Sequence, residues 1–181
     1  MKLTRRAGIA GITLSAAAIL ATTAALATTA ASAAPSRPAV PACSSGNMTV
    51  WTGQPGDDAA GHSFWQLQIS NIGHHACTLF GYPGVSVVNN NGHQVGLPAG
   101  HSGARSLVTL PAGGTAHVVL VVTDPLIVCA HPVHGSFLRV FAPNQFHAEK
   151  TPFSVSVCPH TVTLHVDAVH PGAGIPGFSA S

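Results

Sequence analysis

Between residues 62 and 70, Trp65, Leu67 and Ile69 alternate with Gln66, Gln68 and Ser70. Successive side chains of a strand leave on opposite faces, so this spacing makes a strand with one buried and one polar face. The same two-residue period recurs along the chain. Cys77 and Leu79 share a face, then Val85 and Val87 share one beyond a Gly-Tyr-Pro-Gly bend. Residues 106–110, 115–122, 135–141, 151–158 and 161–169 read as further strands; in the last, Val162, Leu164, Val166 and Ala168 line one face and Thr163, His165 and Asp167 the other. Turn signals separate them at 71–75, 111–114 and 123–125, and Asn89-Asn90-Asn91-Gly92 closes a hairpin into 93–96, because Asn and Gly tolerate the positive φ such turns require. Seven to eight short strands with no helical period beyond one turn predict an all-β fold, an antiparallel β-sandwich. A closed barrel is the alternative.

The first residues set the compartment. Lys2, Arg5 and Arg6 precede an Ala/Ile/Leu-rich stretch that ends in Ala31-Ser32-Ala33, the pattern of an export signal cut after Ala33. An uncleaved anchor helix and a twin-arginine signal are the competing readings. The chain therefore divides into a signal peptide (1–33), a Pro-rich leader (34–42), a β-sandwich domain (43–170) and a flexible tail (171–181). No second apolar run reaches 18 residues, so no membrane span is expected in the mature chain.

Export also changes the charge. Without the signal, Arg37, Arg105, Arg139 and Lys150 face five acidic residues, a formal charge of −1. Four scattered cations make no nucleic-acid footprint. Only 7% of the chain is charged, against about a quarter in ordinary domains, so Ser, Thr, Asn, Gln and His must supply the polar surface. The four cysteines, Cys43, Cys77, Cys129 and Cys158, all follow the signal, and an even count in an oxidising compartment reads as two disulfides. Three pairings are possible. Cys43–Cys77 and Cys129–Cys158 are favoured, because each joins sequence neighbours across one strand-and-turn unit.

A cysteine near the mature start, Asn71 and Gly73 in a strand-end turn, Cys77-Thr78-Leu79 followed by Gly81-Tyr82-Pro83-Gly84-Val85, Pro111-Ala112-Gly113 before a strand, and two late cysteines together resemble the secreted actinobacterial domain-of-unknown-function family 4232. The resemblance covers roughly 43–169. It implies an immunoglobulin-like sandwich, export or surface attachment, and no assigned activity or catalytic residue. In the bend itself, Tyr82 offers a hydroxyl that can reach a backbone carbonyl; the functional alternative is an exposed aromatic anchor made by Tyr82 and Phe80.

The compositional oddity is twelve histidines. Residues 73–75 and 129–134 are the densest sets, and His74, His75, His131 and His134 are candidate Zn²⁺ or Cu²⁺ ligands if a third ligand approaches in space. The plainer reading makes them polar surface. Protonating all twelve would carry the mature chain from −1 to +11, and such a chain should adhere to anionic wall polymers. Ser63 and His62 with Asp57 or Asp58 could form a hydrolytic triad in space, but 61–65 has no nucleophile-elbow pattern. Asp57 and Asp58 adjoin, Glu149 is the lone Glu, and Asp167 sits on a strand, so no carboxylate pair for glycoside chemistry is indicated. The expectation is a monomeric, non-catalytic secreted module without a cofactor, binding an envelope or extracellular ligand. A His-rich metal binder is the alternative.

Overall fold

The computed structural model describes residues 39–56 and 58–174. The cut after Ala33, the first part of the leader, Asp57 and residues 175–181 of the tail lie outside the described residues. Within them the chain forms β1 (Met48–Pro55), β2 (His62–Asn71), β3 (Cys77–Phe80), β4 (Gly84–Val88), β5 (Gln94–Val95), β6 (Gly100–His101), β7 (Leu107–Leu110), β8 (Thr115–Thr123), β9 (Val133–Phe141), β10 (Ala148–Val157), β11 (Leu164–Val166) and β12 (His170–Pro171). Two single 3-10 turns, Ser45–Asn47 and Pro125–Ile127, are the helical elements among these residues. No helix among them is long and apolar enough to cross a membrane.

The strands form three sheets. One runs β1-β2-β8-β11-β6, with β12 also on β8; the second runs β10-β9-β4-β5; β3 and β7 pair by themselves. The all-β expectation holds. The pairing is antiparallel except between β6 and β11, where Gly100 and His101 run parallel to His165 and Val166. A two-residue strand carries no alternation, so nothing in the local pattern announces this pair. β1 also escapes a reading by period: Met48 and Val50 point inward, but Gly53 and Pro55 interrupt the pattern. The last strand is shorter than its apolar pattern suggests. Val162 is exposed and Thr163 buried, because residues 161–163 form a loop in which the Thr163 carbonyl accepts from the Thr123 N–H.

One apolar core gathers the inward faces: Leu67 and Ile69 of β2, Val118 and Leu120 of β8, Val85 and Val87 of β4, and Leu138 and Val140 of β9. Fully burying such a side chain stabilises by about 1.5–3 kcal/mol before the entropy of ordering it is counted. The face of β2 expected to be polar and outward behaves differently. Gln68 is 1% exposed. Residues of the expected loose tail extend the same sheet by pairing with β8, His170 opposite His117 and Pro171 opposite Ala116. The Gln68 amide turns to its own strand, donating to Gln66 Oε1 at 2.8 Å.

Both expected disulfides are present, Cys43–Cys77 and Cys129–Cys158. The first anchors the end of the leader to β3: Thr78 N–H donates to the Pro41 carbonyl and Cys43 N–H to that of Thr78. The Gly-Tyr-Pro-Gly bend moves the chain between sheets, since β3 pairs with β7 and β4 with β9. Gly81 takes φ +105°, open only to glycine. The Tyr82 hydroxyl donates to the Gly103 carbonyl, and its ring stacks on His101 at 4.7 Å.

Candidate functional site: a cleft at the seam of two sheet edges

β1 and β10 are outermost in their sheets, and they meet where the Thr52 hydroxyl donates to the Pro152 carbonyl at 3.5 Å. Both lose register at this seam. β1 slips against β2 between Thr52 and Pro55, and β10 slips against β9 between Pro152 and Val155. Proline has no N–H for a ladder, so Pro55 and Pro152 suit an edge or a bulge. A bulge bends its strand and re-aims the side chains beside it. Beside these two lies a cleft of about 490 Å³, walled by β2, the end of β8 and β10. A neighbouring depression of about 370 Å³ shares Trp65, Phe153 and Ser154 with it.

Trp65 is the centre of the wall. Its indole N–H donates to Ser63 Oγ at 3.3 Å, and Phe153 meets its ring edge-on with centroids 4.9 Å apart. Trp65 is half-buried and Phe153 buried. One lip is a two-residue hairpin turn in which Ala59 and His62 exchange both backbone hydrogen bonds at 2.9 Å around Ala60 (φ +48°) and Gly61 (φ +81°). The adjoining lip is the 3-10 turn Pro125–Ile127, capped by Asp124, whose carboxylate accepts from Leu126 N–H at 2.9 Å. The lips touch: a Cβ on Gly61 would lie 2.5 Å from Ile127 Cδ1. The Cys129–Cys158 bond ties the loop after this turn to the end of β10, so covalent bracing stands next to the cleft.

His62, Ser63 and Asp58 do line one cleft, but His62 and Ser63 are not hydrogen-bonded to each other. They are consecutive in β2 and leave it on opposite faces. His62 Nδ1 lies 3.1 Å from Thr123 Oγ1, and Ser63 Oγ accepts from Trp65. Glu149 stands on β10, and Asp167 accepts from Val119 N–H at 2.7 Å while pairing with His170 at 3.0 Å. The histidines are dispersed. His74 and His75 are exposed between β2 and β3, His131 is exposed just after Cys129, and His134 on β9 lies 3.4 Å from Ser154 Oγ. Among the described residues no three His, Cys, Asp or Glu side chains gather into a group that could hold a metal ion. Phe80 is exposed, with the Arg105 guanidinium 5.6 Å over its ring, whereas Tyr82 is turned into its corner.

The cations sit elsewhere. Arg139 lies over Phe141 at 6.0 Å and Lys150 over Phe137 at 4.4 Å, so with Arg105 every described Lys or Arg covers a phenylalanine, and neither depression is lined by one. Alternation alone makes Trp65 a core residue, and Phe153 carries no signal of its own. The available clue was Pro152 inside the strand-like run 151–158; residues 48–55 carry no readable period. The arrangement offers a braced aromatic wall with hydroxyls beside it.

No curated protein and no solved structure matches the chain. The family model described as Domain of unknown function (DUF4232) matches residues 43–170, and the chain belongs to that family.

Proposed function

We propose that this protein is a secreted, non-catalytic module of immunoglobulin-like β-sandwich architecture that binds an envelope or extracellular ligand at the Trp65 cleft. The observation that carries the reading is the pair of adjoining bulges at Thr52–Pro55 and Pro152–Val155, beside the largest aromatic side chain of the wall. Bulges concentrate next to sites because they re-aim side chains, and concave aromatic walls with a few polar groups are where ligands bind. Export is supported by the first 33 residues and by two disulfides, which persist in oxidising compartments. The non-catalytic part rests on Ser63 and His62 each serving another partner. The histidine reading lacks comparable support, since its four candidates are dispersed.

The test is photocrosslinking in the native setting. A photoreactive residue replaces Ser154 in the cleft or, as control, Thr109, which is exposed on β7. Irradiation of the producing cells should give an adduct from position 154 and none from 109. Equal yields from both positions would refute the cleft as the binding site.

A further inference from the structure

We infer that the Trp65 cleft takes a neutral, unbranched glycan chain; this rests on the cleft being the ligand site. Phosphate, sulfate and carboxylate ligands are held by Arg or Lys, through charge-assisted hydrogen bonds. Arg105, Arg139 and Lys150 cover phenylalanine rings away from the cleft, and the charged side chains lining it are the acids Asp58 and Asp124. His62 also lines the cleft, but its Nδ1 is engaged by Thr123 Oγ1, so an anionic ligand would meet two acids and no Lys or Arg.

A small organic cation fits less well. Such cations are held by a cage of several aromatic faces. Here Phe153 meets Trp65 edge-on and is buried, so one indole face is on offer, and the second depression is lined by no charged group.

What remains is uncharged and rich in hydroxyls. An indole presents an apolar surface to the C–H face of a pyranose ring, and serine and threonine hydroxyls both donate and accept, as sugar hydroxyls do. Ser63 and Ser154 stand in the first depression; Thr52 and Ser136 stand in the second. The indole needs no further hydrogen bond, because Ser63 holds its N–H. Since the two depressions share Trp65, Phe153 and Ser154, they adjoin at the indole. Adjoining depressions suit a chain of sugars better than a single ring.

The experiment uses the oxidised secreted protein. The chain has two tryptophans, and Trp51 is exposed and outside both depressions, so Trp51→Phe leaves Trp65 as the single emitter. That protein is titrated with cellohexaose, maltohexaose, mannohexaose and chitohexaose, with hexagalacturonate as the anionic arm and tetramethylammonium as the cationic one. Emission and calorimetry are read together. At least one neutral hexamer should bind and shift Trp65 emission, and both charged probes should bind at least tenfold more weakly. Ser154→Ala, a change at an exposed position, and Trp65→Phe should each weaken the neutral hexamer at least threefold. Tighter binding of either charged probe, or neutral binding that neither variant alters, would overturn the inference. Silence from every neutral hexamer would overturn it too, while an adduct at position 154 would then leave the cleft standing as the site. Silence together with no such adduct would remove both.

Discussion

The buried side-chain amide of Asn71 donates to the Pro111 carbonyl at 3.0 Å, across 40 residues of sequence. The same Nδ2 group also donates to the carbonyls of His75 at 2.9 Å and Leu110 at 3.3 Å, and Oδ1 accepts from Gly73 N–H at 3.0 Å. One 1%-exposed side chain thus closes the β2–β3 turn and binds it to the turn between β7 and β8. Asn71→Asp keeps the shape but exchanges a donor for an acceptor facing those carbonyls. A buried polar group left unpaired costs about 1–3 kcal/mol. Urea unfolding should therefore show Asn71→Asp less stable by about 3 kcal/mol, with Asn71→Ser closer to the parent. A loss under about 0.5 kcal/mol would mean that the amide does not join the turns.

The two disulfides close loops of similar length, 34 and 29 residues. On the chain-entropy model each contributes about 3–4 kcal/mol. Removing either pair, Cys43 and Cys77 or Cys129 and Cys158, to alanine should lower stability by that amount. Peptide mapping of the parent under non-reducing conditions should recover only these two links.

Ala60 is held at φ +48° in the lip of the cleft. A left-handed conformation costs an ordinary L-residue about 1–2 kcal/mol, and two-residue hairpin turns of this kind prefer Asn-Gly. Ala60→Asn should raise stability by about 0.5–1 kcal/mol in thermal unfolding. Gly61→Ala should lower it by more than 1 kcal/mol, through both the angle and the Ile127 contact.

The sequence carried the sheets better than the seams. Where alternation ran unbroken, as from Trp65 to Ile69 or across Val118, Leu120 and Val122, the inward residues could be read directly. The Tyr82 corner was legible because Gly and Pro restrict the backbone around it. The parallel β6–β11 pair was not, since two residues hold no period. Gln68 looked like solvent-facing polarity because alternation marks a polar face without showing whether anything covers it. The cleft was the least visible feature. It depends on two register slips, and a slip removes the regularity by which strands are recognised. Pro152 was its trace.

The most direct test of the account is a ¹³C- and ¹⁵N-edited NOE experiment on the oxidised, purified protein. It should show cross-peaks between the Trp65 and Phe153 rings, and between Thr52 and Pro152 across the two sheet edges. Their absence, with β1 amides exchanging freely, would mean that β1 and β10 do not meet there, and the cleft on which the functional reading stands would not exist.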